Sequence, residues 1–94
     1  MGEPQRARVV FRGRVQGVGF RYTARAIASG FAVTGYVENE PDGSVELVAE
    51  GERAEVEAFI TAVAREMAAY IRTSDVHWGR ATGEFESFGV RFAR

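Results

Sequence analysis

Apolar residues along this chain follow two rhythms, one of every second position and one of every third or fourth, and the changes of rhythm mark out its elements. Arg8-Val9-Val10-Phe11 is β-branched and aromatic ahead of Gly13, which predicts a strand. From Phe20 the apolar positions shift to 20, 24, 27, 28 and 31, the spacing of one helical face, with Gly30 as a C-terminal stop. Val33 to Val37 reads as a second strand. Glu40-Pro41-Asp42-Gly43 supplies a turn, because proline presets φ and glycine accepts a positive one. Val45, Leu47 and Ala49 then alternate with Ser44, Glu46, Val48 and Glu50, a third strand that pairs back on the second as a hairpin.

Gly51 breaks this strand. Val56, Phe59, Ile60, Val63 and Met67 share one face at helical spacing, so a long helix follows, with Glu52, Glu55, Glu57 and Arg65 largely elsewhere. Thr73 to Trp78 suggests a fourth strand, and Phe88, Val90 and Phe92 alternate as a last one. The order strand, helix, strand, strand, helix, strand predicts a ferredoxin-like βαββαβ sandwich of the α/β (α+β) class. In it both helices cover one face of an antiparallel sheet, and a short extra C-terminal strand follows. The chain's 94 residues leave room for one domain, spanning 1–94.

Composition narrows the chemistry. With 46% hydrophobic and 12% aromatic residues, the chain has the apolar side chains one core needs. There is no cysteine, which excludes disulfides, thiol catalysis, iron–sulfur clusters and cysteine-ligated zinc. One histidine, His77, cannot make a histidine cluster, and a lone histidine on a strand reads as structural. All 12 basic residues are arginine, so neither a Schiff-base lysine nor a Walker-type phosphate loop is available. No apolar run reaches the roughly 18–20 residues of a membrane span, and the first residues do not resemble a signal peptide. These features make a cytoplasmic location, with no membrane partner, the default expectation.

The net charge of −1 conceals a division. Residues 1–25 carry six arginines against Glu3, a net of +5, while residues 38–57 carry eight acids against Arg53, a net of −7. The acidic middle argues against a broad nucleic-acid surface, so the basic opening segment is read as a local feature that could meet a small anion. The acids of 38–57 lack the ligand spacing of a calcium loop and read as a solvated face.

Gly13-Arg14-Val15-Gln16-Gly17-Val18-Gly19-Phe20-Arg21 joins a strand end to a helix N-terminus, where the first backbone N–H groups have no intrahelical partner. Two glycines let successive N–H groups turn inward as a nest for an anion, and the helix dipole favours negative charge at the same point. Arg21 adds a planar fork of donors suited to a phosphoryl group. A tight strand-to-helix turn with a solvated arginine would look the same on these grounds. The partial dinucleotide fingerprint at Gly17-Val18-Gly19 fails, since Tyr22 stands at the third glycine position. Asn39, the only asparagine, precedes the Pro41-Asp42-Gly43 turn. It could be a simple turn former, or its carboxamide, donor and acceptor together, could position a water.

Gly13 to Arg21, together with the segment from Gly35-Tyr36-Val37-Glu38-Asn39 through the turn to Gly51, resembles the two signature segments of the acylphosphatase family. The resemblance covers roughly Arg8 to Phe92 and implies the same ferredoxin-like fold. It further implies hydrolysis of the carboxyl–phosphate bond of an acyl phosphate, giving a carboxylate and inorganic phosphate, with no cofactor, metal or phosphoenzyme. The matching positions are Gln16, Gly17, Val18, Gly19 and Phe20 for the substrate-binding loop, Arg21 for the phosphate-binding arginine and Asn39 for the water-orienting asparagine.

Three positions depart from the family pattern. Glu38 stands where a non-acidic residue is usual, though strand alternation should turn it away from Asn39. Phe11 replaces a smaller aliphatic residue, which reads as a core exchange. Glu66-Met67-Ala68-Ala69-Tyr70 replaces a Gly-Pro turn after the second helix, so the shape of that loop is open. A non-catalytic acylphosphatase-like module that binds an anion or a partner is the competing reading. Hydrogenase-maturation carbamoyltransferases carry such a domain ahead of cysteine-rich zinc fingers, whereas this chain has no cysteine and ends at Arg94, which favours a free-standing enzyme. A ferredoxin-like RNA-binding domain needs exposed aromatics on its central strands, and Val45 to Ala49 offers none. The expected partner is a small-molecule acyl phosphate, with no nucleic acid, and a monomer is expected.

Overall fold

Alternation in Ala7, Val9 and Phe11 puts three small or apolar side chains on one side of a strand and Arg6, Arg8 and Arg12 on the other, and this two-faced strand forms the centre of the molecule. A computed structural model describes residues 2–92. The elements in chain order are β1 (Gln5–Gly13), α1 (Phe20–Ala28), β2 (Thr34–Asn39), β3 (Val45–Gly51), α2 (Arg53–Glu66), β4 (Ile71–Arg80) and β5 (Phe88–Arg91). They build one five-stranded sheet in the order β4-β1-β3-β2-β5. Both helices pack on the same face, as the ferredoxin-like reading requires.

The sheet is not antiparallel throughout. β1 pairs antiparallel with β3 and β4, and β2 antiparallel with β3, but β5 runs parallel to β2. The reason is topological. β4 lies at one edge of the sheet and β5 at the other, so the connecting residues 81–87 cross the whole end of the sheet instead of folding back as a hairpin. A strand that follows β4 after such a crossing must run opposite to β4, which is the direction of β2. The strands also extend beyond the expected limits: β1 begins at Gln5 rather than Arg8, and β4 runs from Ile71 to Arg80. Phe92 falls just past β5 instead of inside it. Of the expected single domain over 1–94, Met1, Ala93 and Arg94 lie outside the described residues.

The core forms where the helical stripes meet the helix-facing strand positions. Phe20, Ala24 and Ala28 of α1 and Val56, Phe59 and Val63 of α2 close over Ala7, Val9, Phe11, Val37, Val45, Leu47 and Ala49, all buried. Phe11 is fully enclosed, with its ring centroid 5.0 Å from that of Phe20, so the departure at this position is a core exchange. Phe59 likewise meets Phe88 edge-on at 5.1 Å, which anchors β5 beneath α2. Gly35 lies tight against β3; a Cβ there would collide with the Val48 carbonyl, so only glycine fits.

Charges collect on the uncovered face. Arg8 pairs with Glu46, Arg12 with Asp75 at 3.2 Å and Arg6 with Glu84 at 3.2 Å and Glu50 at 3.5 Å. Tyr36 donates its hydroxyl to Glu46 at 2.8 Å, and the Arg91 guanidinium lies 3.8 Å from the Tyr36 ring centroid. The basic opening segment and the acidic middle of the chain therefore meet across neighbouring strands. Ion pairs account for half of the six N-terminal arginines, Arg6 and Arg8 with the acidic middle and Arg12 with Asp75 of β4, which leaves the local reading of the basic segment to Arg21 and its neighbours.

Candidate active site

The loop between β1 and α1 is held at both ends. Gly13 ends β1 in a register shift against β4, and the next residue, Arg14, donates its N–H to the Tyr70 carbonyl at 2.9 Å. That carbonyl belongs to the tight turn after α2, where Tyr70 N–H returns to the Met67 carbonyl at 2.9 Å. The sequence without Gly-Pro thus still forms a closed turn, and the turn supports the base of the loop. Val15 is fully buried and Phe20 is 2% exposed, so the loop enters and leaves through the core. The Phe20 side chain is core packing, and only its backbone faces the loop.

Between these anchors the backbone turns through two left-handed glycines, Gly17 at φ 75° and Gly19 at φ 79°. Open space surrounds both positions, so the requirement for glycine is conformational. Gly19 is the N-cap of α1 and offers no side-chain cap, and the first helical bond is Thr23 N–H to the Gly19 carbonyl at 3.0 Å. None of the backbone N–H groups from Gln16 to Tyr22 donates to an acceptor among the described residues. These seven consecutive donors without an acceptor lie at the positive end of a helix, the chemistry an anion would need.

Arg21 stands in the first turn of α1, half-buried. Its Nη1 donates to the Arg91 carbonyl at 3.3 Å, and the Phe92 ring centroid lies 4.7 Å from its Cζ. The end of β5 thereby fixes the guanidinium while leaving most of its donors unspent. Asn39 closes β2 on the helix-covered side, in alternation with Gly35 and Val37. Glu38 turns to the opposite face with Tyr36 and Glu46, as strand alternation predicts. The Asn39 Oδ1 is buried and accepts no hydrogen bond. Such an orphan acceptor costs about 1–3 kcal/mol, a cost that a bound water or substrate would remove.

Two links bring the loop and Asn39 together. Arg91, which receives Arg21, is the β5 partner of Glu38, the residue before Asn39. Gln16 Nε2 donates to the carbonyls of Glu40 and Ser44 at 2.8 and 2.9 Å, on the other side of Asn39. The side chain of Gln16, expected in the substrate loop, is thus directed to the hairpin, and its backbone N–H remains with the cradle. Pattern reading missed the Tyr70 carbonyl, the Arg91 carbonyl and Phe92. Alternation at Phe88, Val90 and Phe92 marked a strand, but nothing in it marked a strand that ends against Arg21.

The acidic segment lies behind the site. Partial burial, a hydrogen bond shared with Glu38 and repulsion from Glu46 and Asp42 hold the Glu40 carboxyl above its ordinary range. Asp42 is held below the ordinary range because the Ser44 hydroxyl and N–H donate to it at 2.6 and 2.9 Å. Burial, with the hydrogen bond to Glu46, pushes the Tyr36 phenol up to about 12. His77 sits on the open face of the edge strand opposite Arg8, away from the cradle. A hollow of about 650 Å³, lined by Thr34, Glu50, Gly51, Arg80 and Thr82 among others, lies at the far end of the sheet. Size does not mark the chemistry here, since the N–H groups without acceptors and the orphan Oδ1 lie at the opposite end of the sheet.

Comparison with known proteins identifies the family. The family model described as acylphosphatase matches residues 7–90. An acylphosphatase of Salinibacter ruber is 46% identical over 91 residues, covering 96% of each chain. The crystal structure of acylphosphatase from Bacillus subtilis superposes with a TM-score of 0.83 at 30% identity, covering 93% of this chain and 98% of that one. Full-length HypF in its phosphate- and nucleotide-bound form gives a TM-score of 0.81 at 28% identity over 97% of this chain but only 12% of its own. From the two signature segments, the sheet order and these matches together, the chain belongs to the acylphosphatase family.

Proposed function

We propose that this acylphosphatase holds the phosphoryl group of an acyl phosphate on the N–H groups of Gln16, Gly17, Val18, Gly19 and Phe20 and on the Arg21 guanidinium, while Asn39 aims the attacking water. The observation that carries this reading is the buried Asn39 Oδ1 without a partner. A water that donates one proton to this oxygen keeps a lone pair free to approach phosphorus, and the Asn39 N–H₂ group offers a donor for a second oxygen. Phosphoryl transfer asks chiefly for such positioning and for donors on the equatorial oxygens.

The steps balance without a protein base. The water oxygen bonds to phosphorus as the bond from phosphorus to the acyl oxygen breaks, and the carboxylate leaves with the electron pair. Asn39 cannot take the water's proton, so a phosphoryl oxygen of the substrate accepts it. A carboxylate is a good leaving group, so no strong general acid is required.

Hydrolysis of a simple acyl phosphate by wild type, Arg21→Ala and Asn39→Ala, with chelator present, tests the assignment. Each substitution is expected to cost about 3–4 kcal/mol in the barrier, or roughly 10²–10³ in kcat, while circular dichroism and the unfolding midpoint stay near wild type. Near-normal turnover in either variant would remove that residue from the machinery. No helix among the described residues is long and apolar enough to cross a membrane. The absence of cysteine supports a cytoplasmic setting. We further propose a monomer, which size-exclusion chromatography of the whole chain tests.

A further inference from the structure

Resting on the acylphosphatase reading, we propose that the Gln16 side chain is a positioning residue. It sets the distance between the phosphate cradle and Asn39 by stapling the β1–α1 loop to the β2–β3 turn, and does not itself bind the phosphoryl group. Both N–H bonds of its Nε2 are spent on the carbonyls of Glu40 and Ser44, at 2.8 and 2.9 Å. Two acceptors facing one end of the carboxamide require the nitrogen there, which fixes the orientation of the group.

Those two carbonyls also close the hairpin turn. Gly43 N–H donates to the Glu40 carbonyl at 3.0 Å, and Glu40 N–H donates to the Ser44 carbonyl at 2.9 Å. Each carbonyl has a second lone pair, and Gln16 takes both of them. Among the described residues these are the only hydrogen bonds joining residues 14–20 to residues 39–45. The turn begins at the residue after Asn39, whose Oδ1 has no hydrogen bond of its own to hold it. The staple therefore sets the place of the carboxamide relative to the free N–H groups from the turn side, as the Arg21–Arg91 link does from the β5 side. Reaction geometry is sensitive on this scale, since a displacement of about 1 Å at reacting groups can cost about 10²-fold in rate.

Residue chemistry explains why glutamine stands here. A methionine would have similar reach with no donor, and a glutamate would set a carboxylate against two carbonyl oxygens. The test uses the whole chain with Gln16→Met and Gln16→Glu. Readouts are kcat on a simple acyl phosphate, competitive inhibition by inorganic phosphate, and the side-chain N–H₂ signal of Asn39 in a ¹⁵N-edited NMR spectrum. With ¹⁵N supplied only as asparagine that signal is unambiguous, because Asn39 is the only asparagine and the carboxamides of Gln5 and Gln16 stay silent.

In Gln16→Met, kcat should fall about 10- to 100-fold while the phosphate inhibition constant stays within about threefold of wild type, because the N–H groups and Arg21 remain. The Asn39 signal should move. Gln16→Glu should be slower still near neutral pH and should recover relative to wild type as pH falls into the carboxyl range, where the protonated acid regains one donor. Adding Gln16→Met to Asn39→Ala should slow that variant by less than about twofold, since the two act through one element. Phosphate affinity lost in step with kcat would make Gln16 a ligand and overturn the proposal, as would multiplicative effects in the double variant. An unmoved Asn39 signal would overturn it independently of turnover. A wild-type chain without acyl phosphate hydrolysis would instead count against the activity reading alone. If Gln16→Met does not fold, Gln16→Leu carries the same comparisons, since it also removes the donors without adding a charge that repels phosphate.

Discussion

The two ends of the sheet handle loop N–H groups in opposite ways. At the far end the chain supplies its own anion: Glu50, 5% exposed, accepts the N–H groups of Thr82 and Gly83 at 2.9 and 3.0 Å and the Thr82 hydroxyl at 3.0 Å. Arg6 adds its charge at 3.5 Å. At the near end, seven N–H groups from Gln16 to Tyr22 have no acceptor among the described residues, and the buried acceptor on Asn39 has no donor. One set of loop N–H groups is filled by the chain's own carboxylate, which holds the crossing loop in place; the other is unfilled by the chain, and it is there that we propose the substrate binds.

Substitutions at Glu50 should break the comparison from the structural side, and they give the largest effect on stability. Glu50→Ala removes three hydrogen bonds and a charge partner at once. About 2 kcal/mol of stability should be lost, lowering the unfolding midpoint by about 10 °C, with turnover per folded molecule retained. Thermal unfolding beside an active-site assay checks both halves. Comparable loss of kcat at a temperature where the variant is folded would mean that the two ends are coupled.

Gly19→Ala addresses the other receptor. A Cβ meets nothing there, but φ 79° lies in the left-handed region, so a cost of about 1–2 kcal/mol is expected together with weaker inhibition by phosphate. Calorimetry and inhibition kinetics separate the two parts.

A smaller effect follows from acid titration of the filled end. Burial raises the Glu50 carboxyl, but the bonds from Thr82 and Gly83 and the charge of Arg6 outweigh it, and the folded value lies below the ordinary range. A carboxyl with a depressed folded value stabilises the protein fully above its unfolded range and loses that contribution as pH falls through the folded value. The stability difference between wild type and Glu50→Gln should therefore shrink as pH falls below about 4. Denaturant unfolding at a series of pH values measures it.

The smallest change is expected for Glu38→Gln. Its carboxylate points to the open face, away from Asn39, so removing the charge should lower KM by less than about threefold with kcat unchanged.

Much of this was legible in the chain because periodicity reports burial directly. The helical stripes beginning at Phe20 and Val56, the alternation in β1 and β3 and the turn at Gly43 all reappear, Gly43 with φ 93°. The loop glycines, Arg21 and Asn39 stood out as candidates, but residue chemistry alone left a plain turn and a simple turn former open, and the roles proposed for them came from the family resemblance. Gln16 was visible as a residue but not in its role, because both its partners are main-chain carbonyls that any residue would present. The same holds for Arg91, whose carbonyl receives Arg21 while its side chain serves Tyr36 on the other face.

The sequence by itself determined the elements, their buried faces and the inventory of groups able to bind phosphate and water. Only the tertiary structure decided that β5 lies parallel to β2, that the basic and acidic segments pair across the open face, and which loop N–H groups stay unfilled. The physical reason is common to all three. Hydrophobic patterning fixes which side of an element faces the core. Strand order and backbone carbonyl partners depend on where the chain goes between elements, and no residue type records that path.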